Sequence, residues 1–292
     1  MTTLTLPPLA VAAAVGLLSG THAAIWGMYK DAIHEGFSAR RFARSMVVGA
    51  GAAVAIQAAL GLALPGAAAL VTLFGLAYAA ERGAVEVWKT FVRDEDQAKY
   101  HIPMQFSVGG VPVAGRGARL AAGAAYVTAV AICLRAIAGL DGAAAPPPAA
   151  VRAALVGLAV GLVVAIGGAW KDAPTEGFEI AKFFRSPALT VLFALLLSGL
   201  TDSYLQVAVA AIGYERATAE TYKKFCFPGR PPGKFAGKPV RHPEMFIRRR
   251  RFIPLYVAIW SLVLVSGAVA LGVGNAPLGR LVTPAQAADA QP

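Results

Sequence analysis

Only two cysteines occur in 292 residues, Cys133 inside an apolar stretch and Cys226 in a basic loop. That excludes both a disulfide framework and a CxxC metal site. Charge is scarce as well. Asp, Glu, Lys and Arg make up 15% of the chain, against about a quarter in an ordinary soluble domain. The acidic residues are the rarer set, 16 against 27 basic ones, which leaves a net charge of +11. No stretch between the apolar segments is long enough to form a soluble domain that would display this charge to DNA or RNA, so no nucleic-acid partner is expected. The basic n-region of a secretory signal is also missing from the N-terminal MTTLTLPPLA, and the apolar run that follows reads as a first transmembrane helix.

What the chain does have is apolar bulk. The hydrophobic set reaches 57%, carried by Ala, Val, Leu and Gly, small residues that let helices approach closely in lipid. Apolar stretches of about 20 residues predict eight helices, at 8–29, 45–62, 64–88, 118–140, 150–170, 187–201, 203–224 and 253–274. The fold class expected is an all-α, polytopic transmembrane bundle.

Basic residues decide orientation. Four loops, those after the first, third, fifth and seventh helices, hold most of the 27 Lys and Arg, while the opposite side has Arg135, Arg152 and Arg280. The four loops are therefore expected on the cytoplasmic side and both termini outside, in the inner (cytoplasmic) membrane of a bacterium.

The chain also repeats itself. Residues 27–45, GMYKDAIHEGFSARRFARS, match residues 168–186, GAWKDAPTEGFEIAKFFRS, at ten of nineteen positions with an offset of 141. ERGAVEVWKTF at 81–91 matches ERATAETYKKF at 215–225 with an offset of 134, and His101 and His242 open a third, weaker pair. The matches fall on Lys, Asp, Glu, Gly, Phe, Arg and Ser rather than on common apolar residues. This predicts two tandem four-helix repeats, residues 1–145 and 146–292. An even helix number places both copies the same way up, related by a parallel pseudo-twofold axis along the membrane normal.

The repeated charges are the candidate site. Asp31 and Glu35, like Asp172 and Glu176, are spaced i,i+4, which puts two carboxylates on one helix face. Such pairs are candidate catalytic groups and candidate magnesium ligands beside substrate phosphates, with His101 and His242 as further metal ligands. The structural alternative makes Asp172, followed by Pro174, the N-cap of an interfacial helix. Lys30, Arg44, Lys171 and Arg185 are candidate phosphate-binding groups. The same basic residues, interleaved with Phe37, Phe42, Phe178, Phe183 and Phe184, also suit an amphipathic segment lying against anionic headgroups of membrane lipids, the partners expected.

Arg82, Glu86 and Lys89 are spaced i, i+4, i+7, as are Arg216, Glu220 and Lys223. Each set forms a stripe that suits a packed network, the wall of a substrate site or an exposed ladder. Glu81 and Glu215 are further candidate bases. His34 has no counterpart, because Thr175 takes its place. Residues 228–251 form a cationic, Gly- and Pro-rich loop without the GxxxxGK[ST] pattern of a P-loop.

Two functional classes follow. One is a metal-assisted enzyme acting on a phosphorylated or isoprenoid lipid at the cytoplasmic face. Its arrangement is similar to that of UbiA-type intramembrane prenyltransferases, which have duplicated helical halves and cytosolic DxxxD motifs; here the motif is DxxxE, once per half, and the characteristic Asn is missing. The DGxxAR…GxxxDxxxD pattern of CDP-alcohol phosphotransferases is absent. The other class is a lipid or small-molecule transporter or flippase, or else a structural subunit of a membrane complex. Few polar residues are available inside the helices for a transport path, chiefly His22, Gln57 and Thr128.

Overall fold

The computed structural model describes residues 6–141, 148–226 and 233–273. Helix α1 (Pro8–Glu35) opens on a proline, whose missing N–H costs nothing at a first helical turn. It closes at Gly36, where φ is +74°. Helix α5 (Ala149–Glu176) is also 28 residues long and closes at Gly177, with φ +80°. Both turns lead into a second helix, α2 (Ala39–Leu60) and α6 (Ile180–Leu197). Helix α3 (Ala67–Val87) continues as a π-helical turn over Trp88–Val92, and α7 (Tyr204–Thr221) does the same over Tyr222–Cys226. Helix α4 (Arg116–Ala138), the short α8 (Met245–Arg248), a 3₁₀ turn (Arg249–Phe252) and α9 (Ile253–Val273) complete the bundle.

Among the described residues, seven segments are long and apolar enough to cross a membrane: Pro8–Glu35, Ala39–Leu60, Ala67–Val92, Arg116–Ala138, Ala149–Glu176, Ile180–Leu197 and Met245–Gly272. Helix α7 is the exception, because Glu215, Arg216 and Glu220 fall within its 18 residues. It compensates by packing centrally, against α3, α5 and α6, where its charges meet protein rather than lipid.

Each of the eight sequence-expected helices has its counterpart, but the ends at the charged face lie elsewhere. Helices α1 and α5 run on to Glu35 and Glu176, and α2 and α6 begin at Ala39 and Ile180. Hydropathy reports the solvent, whereas the backbone stays helical past the apolar stretch. One expectation is thereby corrected. Asp172 is no N-cap, since α5 continues through Pro174 to Glu176. The basic–aromatic segments form the turns at Gly36 and Gly177 and the first turns of α2 and α6.

Close helix approach explains the small residues. A Cβ on Gly16 would lie 2.3 Å from the Gly49 carbonyl oxygen, and one on Gly20 2.2 Å from that of Ser45. In the α5–α6 pair, a Cβ on Gly157 would lie 2.7 Å from the Thr190 carbonyl oxygen and one on Gly161 2.5 Å from the Pro187 Cα. Helices α3 and α7 cross at the centre. There Leu73, Phe74, Ala77 and Tyr78 are buried against Val207, Ala210, Ala211 and Tyr214, and the Tyr214 hydroxyl donates to the Val71 carbonyl at 2.8 Å. Helix α9 packs on α3 and α1, and α4 packs on α7 and on the π turn after α3.

The connections gather at one face. A hairpin pairs Ser107–Val108 with Val111–Pro112, turning through Gly109 and Gly110, whose positive φ values suit a two-residue turn. Trp170 of α5 donates to the Ser107 carbonyl at 2.9 Å. The segment 233–244 lies across the end of α1: the backbone N–H groups of Arg241 and His242 both donate to the Ile33 carbonyl at 3.0 Å. The same segment reaches the loop after α3, where the Lys234 carbonyl accepts from His101 at 2.8 Å and Lys238 donates to the Ala98 carbonyl at 2.7 Å.

Candidate functional site

Four helix ends converge below this covering layer, those of α1, α3, α5 and α7. The i, i+4, i+7 spacing puts Glu86 and Lys89 on one side of α3, 3.3 Å apart. On α7 and its π turn, Glu220 lies 3.8 Å from Arg216 and 3.6 Å from Lys223. Lys30 of α1 stands within electrostatic range of Glu220, Asp31, Glu86 and Asp172. Lys171 of α5, which matches it in the repeat, stands within range of Glu86 and Asp172. The charges of Lys89, Lys171, Arg82 and Arg216 surround Glu86 in turn, yet half of its side chain (50%) remains open to water. A carboxylate with cations from three helices around it and half of its side chain exposed belongs to an open charged cluster rather than a packed ladder. Cations outnumber carboxylates around it, because Lys224 and Lys234 add to the set. Burial, reinforced by the charge of Lys30, lowers the Lys224 ammonium to about 8.

Arg82 departs from the expected stripe. It is buried and clasps Glu81 with two guanidinium nitrogens. The group also lies 3.4 Å from the Ser45 hydroxyl and 5.2 Å from the Trp26 ring centre. Glu215 is equally enclosed, at 1% exposure. It accepts a hydrogen bond from Ser186 at 2.7 Å, with Arg216 4.0 Å away. Both glutamates therefore act as buried struts, not as accessible bases. Arg44 is exposed and faces Glu81, Arg82, Arg93 and Arg41. Arg185 stands beside Lys223.

The paired carboxylates are engaged by partners the sequence did not single out. Asp172 and Glu176 share Lys182, at 3.0 and 2.8 Å, so this pair does lie on one face. Asp31 and Glu35 take separate partners. Asp31 binds Lys234 at 2.8 Å, while Glu35 pairs with Arg41 and accepts from the Tyr100 hydroxyl at 3.3 Å. Burial and the Glu35 charge raise the Tyr100 hydroxyl above its ordinary value. His101 is exposed in the loop after α3. His242 packs beneath Gly36 with its ring 3.4 Å from Glu244. Among the described residues no three of His, Cys, Asp and Glu come together as a metal-holding group, so the expected ligand set is not brought together. His34 is half of a structural contact, bonded to the Pro239 carbonyl and stacked on Phe235.

Among the described residues, a polar cluster centres on His22 of α1. His22 is fully buried, with Nδ1 3.0 Å from the Tyr78 hydroxyl, which also accepts from Trp26 at 2.7 Å. The imidazole stacks on Tyr256 at 4.1 Å and meets Trp260 edge-on at 5.2 Å. An aromatic box thus closes around it. Gln57 is spent on the Leu62 carbonyl at 3.1 Å, and Thr128 faces outward from α4.

Compared with family models, with curated proteins and with solved structures, the chain matches none of them.

Proposed function

We propose that this integral membrane protein is an enzyme that binds a phosphorylated amphiphile, in the lipid or isoprenoid class, at the cytoplasmic face and acts on its headgroup. The observation that carries the reading is the open, cation-rich cluster where Lys30 and Lys171 approach the Glu86 and Glu220 stripes. Lysines and arginines in such a setting neutralise phosphate oxygens and stabilise charge that develops during transfer or hydrolysis. Lys30 and Lys171 are the groups assigned to the phosphate, with Lys89, Arg216, Lys223 and Lys224 behind them. Glu86 and Glu220 hold these cations in place. Asp31, Asp172 and Glu176 are already neutralised by Lys234 and Lys182, so the reading assigns them to holding the covering segments and requires no magnesium. A transport path is disfavoured by the aromatic closure around His22.

The reading includes two four-helix copies with both termini outside. Matching glycines at an offset of 141 contact matching partners in α1–α2 and α5–α6, and the four basic connections share one face, as the distribution of Lys and Arg requires. Binding of a long-chain phosphate to the purified protein, compared with the corresponding neutral alcohol, tests the site. Lys30→Ala and Lys171→Ala are each expected to weaken phosphate-lipid binding about tenfold, as loss of one charge-assisted contact does. Wild-type binding by both variants would sink the reading. In cells, the same pair is expected to reproduce the lipid profile of a deletion strain.

A further inference from the structure

Away from the Lys30–Lys171 cluster, the run Arg248–Arg251 stands where α9 enters the bundle, and its four arginines do different things. Arg249 turns inward. It is 6% exposed, donates to the Tyr29 carbonyl at 2.6 Å and covers the Tyr29 ring at 4.1 Å. The backbone here passes from α8 into a 3₁₀ turn, with about three residues per turn, so side chains three apart lie over one another. Anchoring Arg249 inward therefore leaves Arg248 and Arg251 together on the outside. Both line a recess of about 370 Å³ whose remaining walls are Phe37, Met245 and Phe252. Phe37 and Phe252 lie 6.1 Å apart, and Phe42 sits 5.4 Å from Phe252 behind them. Met245 is buried. Neither Arg248 nor Arg251 has a carboxylate partner among the described residues; the nearest acidic neighbour in sequence, Glu244, faces His242.

Two unpaired guanidiniums above an aromatic floor, at the level where three apolar helices end, make an amphiphile site. We infer that this recess holds the headgroup of an anionic membrane phospholipid. The two planar forks would take the phosphate oxygens, a geometry a lysine cannot reproduce, and the first methylenes would lie on Phe37 and Phe252. Beyond the recess, α9 exposes Leu255 and Leu262, two turns apart on one face, a surface along which an acyl chain can continue. That continuity selects a lipid over free phosphate, which would gain nothing from the aromatic floor. The recess lies on the outer side of α1 and α9, separate from the Lys30–Lys171 site, so either assignment can fail without the other.

Native mass spectrometry of the full-length protein, titrated with phosphatidylglycerol or with zwitterionic phosphatidylcholine, tests the inference. The wild type is expected to retain phosphatidylglycerol preferentially. Arg248→Gln/Arg251→Gln is expected to lower that affinity about tenfold while leaving phosphatidylcholine unchanged, and Arg250→Gln, outside the recess, is expected to behave as wild type. The two single substitutions serve if the double variant fails to fold, each with a several-fold loss. Undiminished phosphatidylglycerol binding by the variants overturns the inference, as does equal retention of the two lipids. Displacement of the lipid by millimolar inorganic phosphate overturns it in favour of a soluble anion.

Discussion

Ser45 and Ser186 stand at matching positions, nearly two turns into the helix that follows each EGF turn, yet their hydroxyls do unequal work. Ser186 donates to Glu215 at 2.7 Å, and the second oxygen of that carboxylate is buried without a hydrogen-bond partner. Ser45 meets Arg82 at 3.4 Å, the weak edge of hydrogen-bond range, and Arg82 already holds both oxygens of Glu81. Removing a donor from a buried carboxylate leaves its desolvation uncompensated, a cost of about 1–3 kcal/mol. Ser186→Ala is therefore expected to lower thermal stability in detergent clearly, and Ser45→Ala by less than about 0.5 kcal/mol; equal losses would contradict the unequal pairing. The sequence pointed to these serines only as the last matches of the repeat. Their partners, Glu215 and Arg82, lie 29 and 37 residues on, a separation at which spacing along one helix says nothing.

At the scale of helices, the small residues divide into those that touch and those that do not. Gly20 and Gly27 sit on the same helix, but a Cβ on Gly20 would meet the Ser45 carbonyl oxygen at 2.2 Å, whereas one on Gly27 would meet nothing within 4 Å. A methyl added at Gly20 has to push α2 away, at a cost of about 1–3 kcal/mol. At Gly27 the same change only removes the glycine penalty of a helix interior, a gain of up to about 1 kcal/mol. Unfolding curves of Gly20→Ala and Gly27→Ala are expected to move in opposite directions, and Gly161→Ala is expected to follow Gly20→Ala. Helix existence was legible from apolar length alone. Helix ends were not, since Glu35 and Glu176 close α1 and α5 past the apolar stretches that end at Tyr29 and Trp170. The fate of the four paired carboxylates was hidden for a related reason. Lys234 comes from a segment 203 residues beyond Asp31, and Lys182 from the first turn of α6, and nothing in either segment announces its partner.

For the molecule as a whole, the fourth helix of each half packs across the boundary drawn by the sequence repeat. Helix α9 lies on α3 and α1, and α4 reaches α7. Division at residue 146 therefore describes the sequence duplication better than it describes two separable bodies, because α3 and α7 share one buried core. The proposed placement of the site depends on which side of the bilayer these helices present, and the chain carries its own reporter. Cys226 is exposed at the end of the π turn after α7, on the face where Lys223, Lys224 and the covering segment gather. Cys133 lies inside the apolar stretch of α4, where a charged reagent does not follow. A membrane-impermeant maleimide is expected to label Cys226 in inverted vesicles and to leave it unlabelled in intact spheroplasts, with Cys226→Ser removing the signal. Labelling from the outer side would reverse the orientation. With it would go the cytoplasmic substrate, because the excess of Lys and Arg would then face away from the compartment that the positive-inside rule assigns to them.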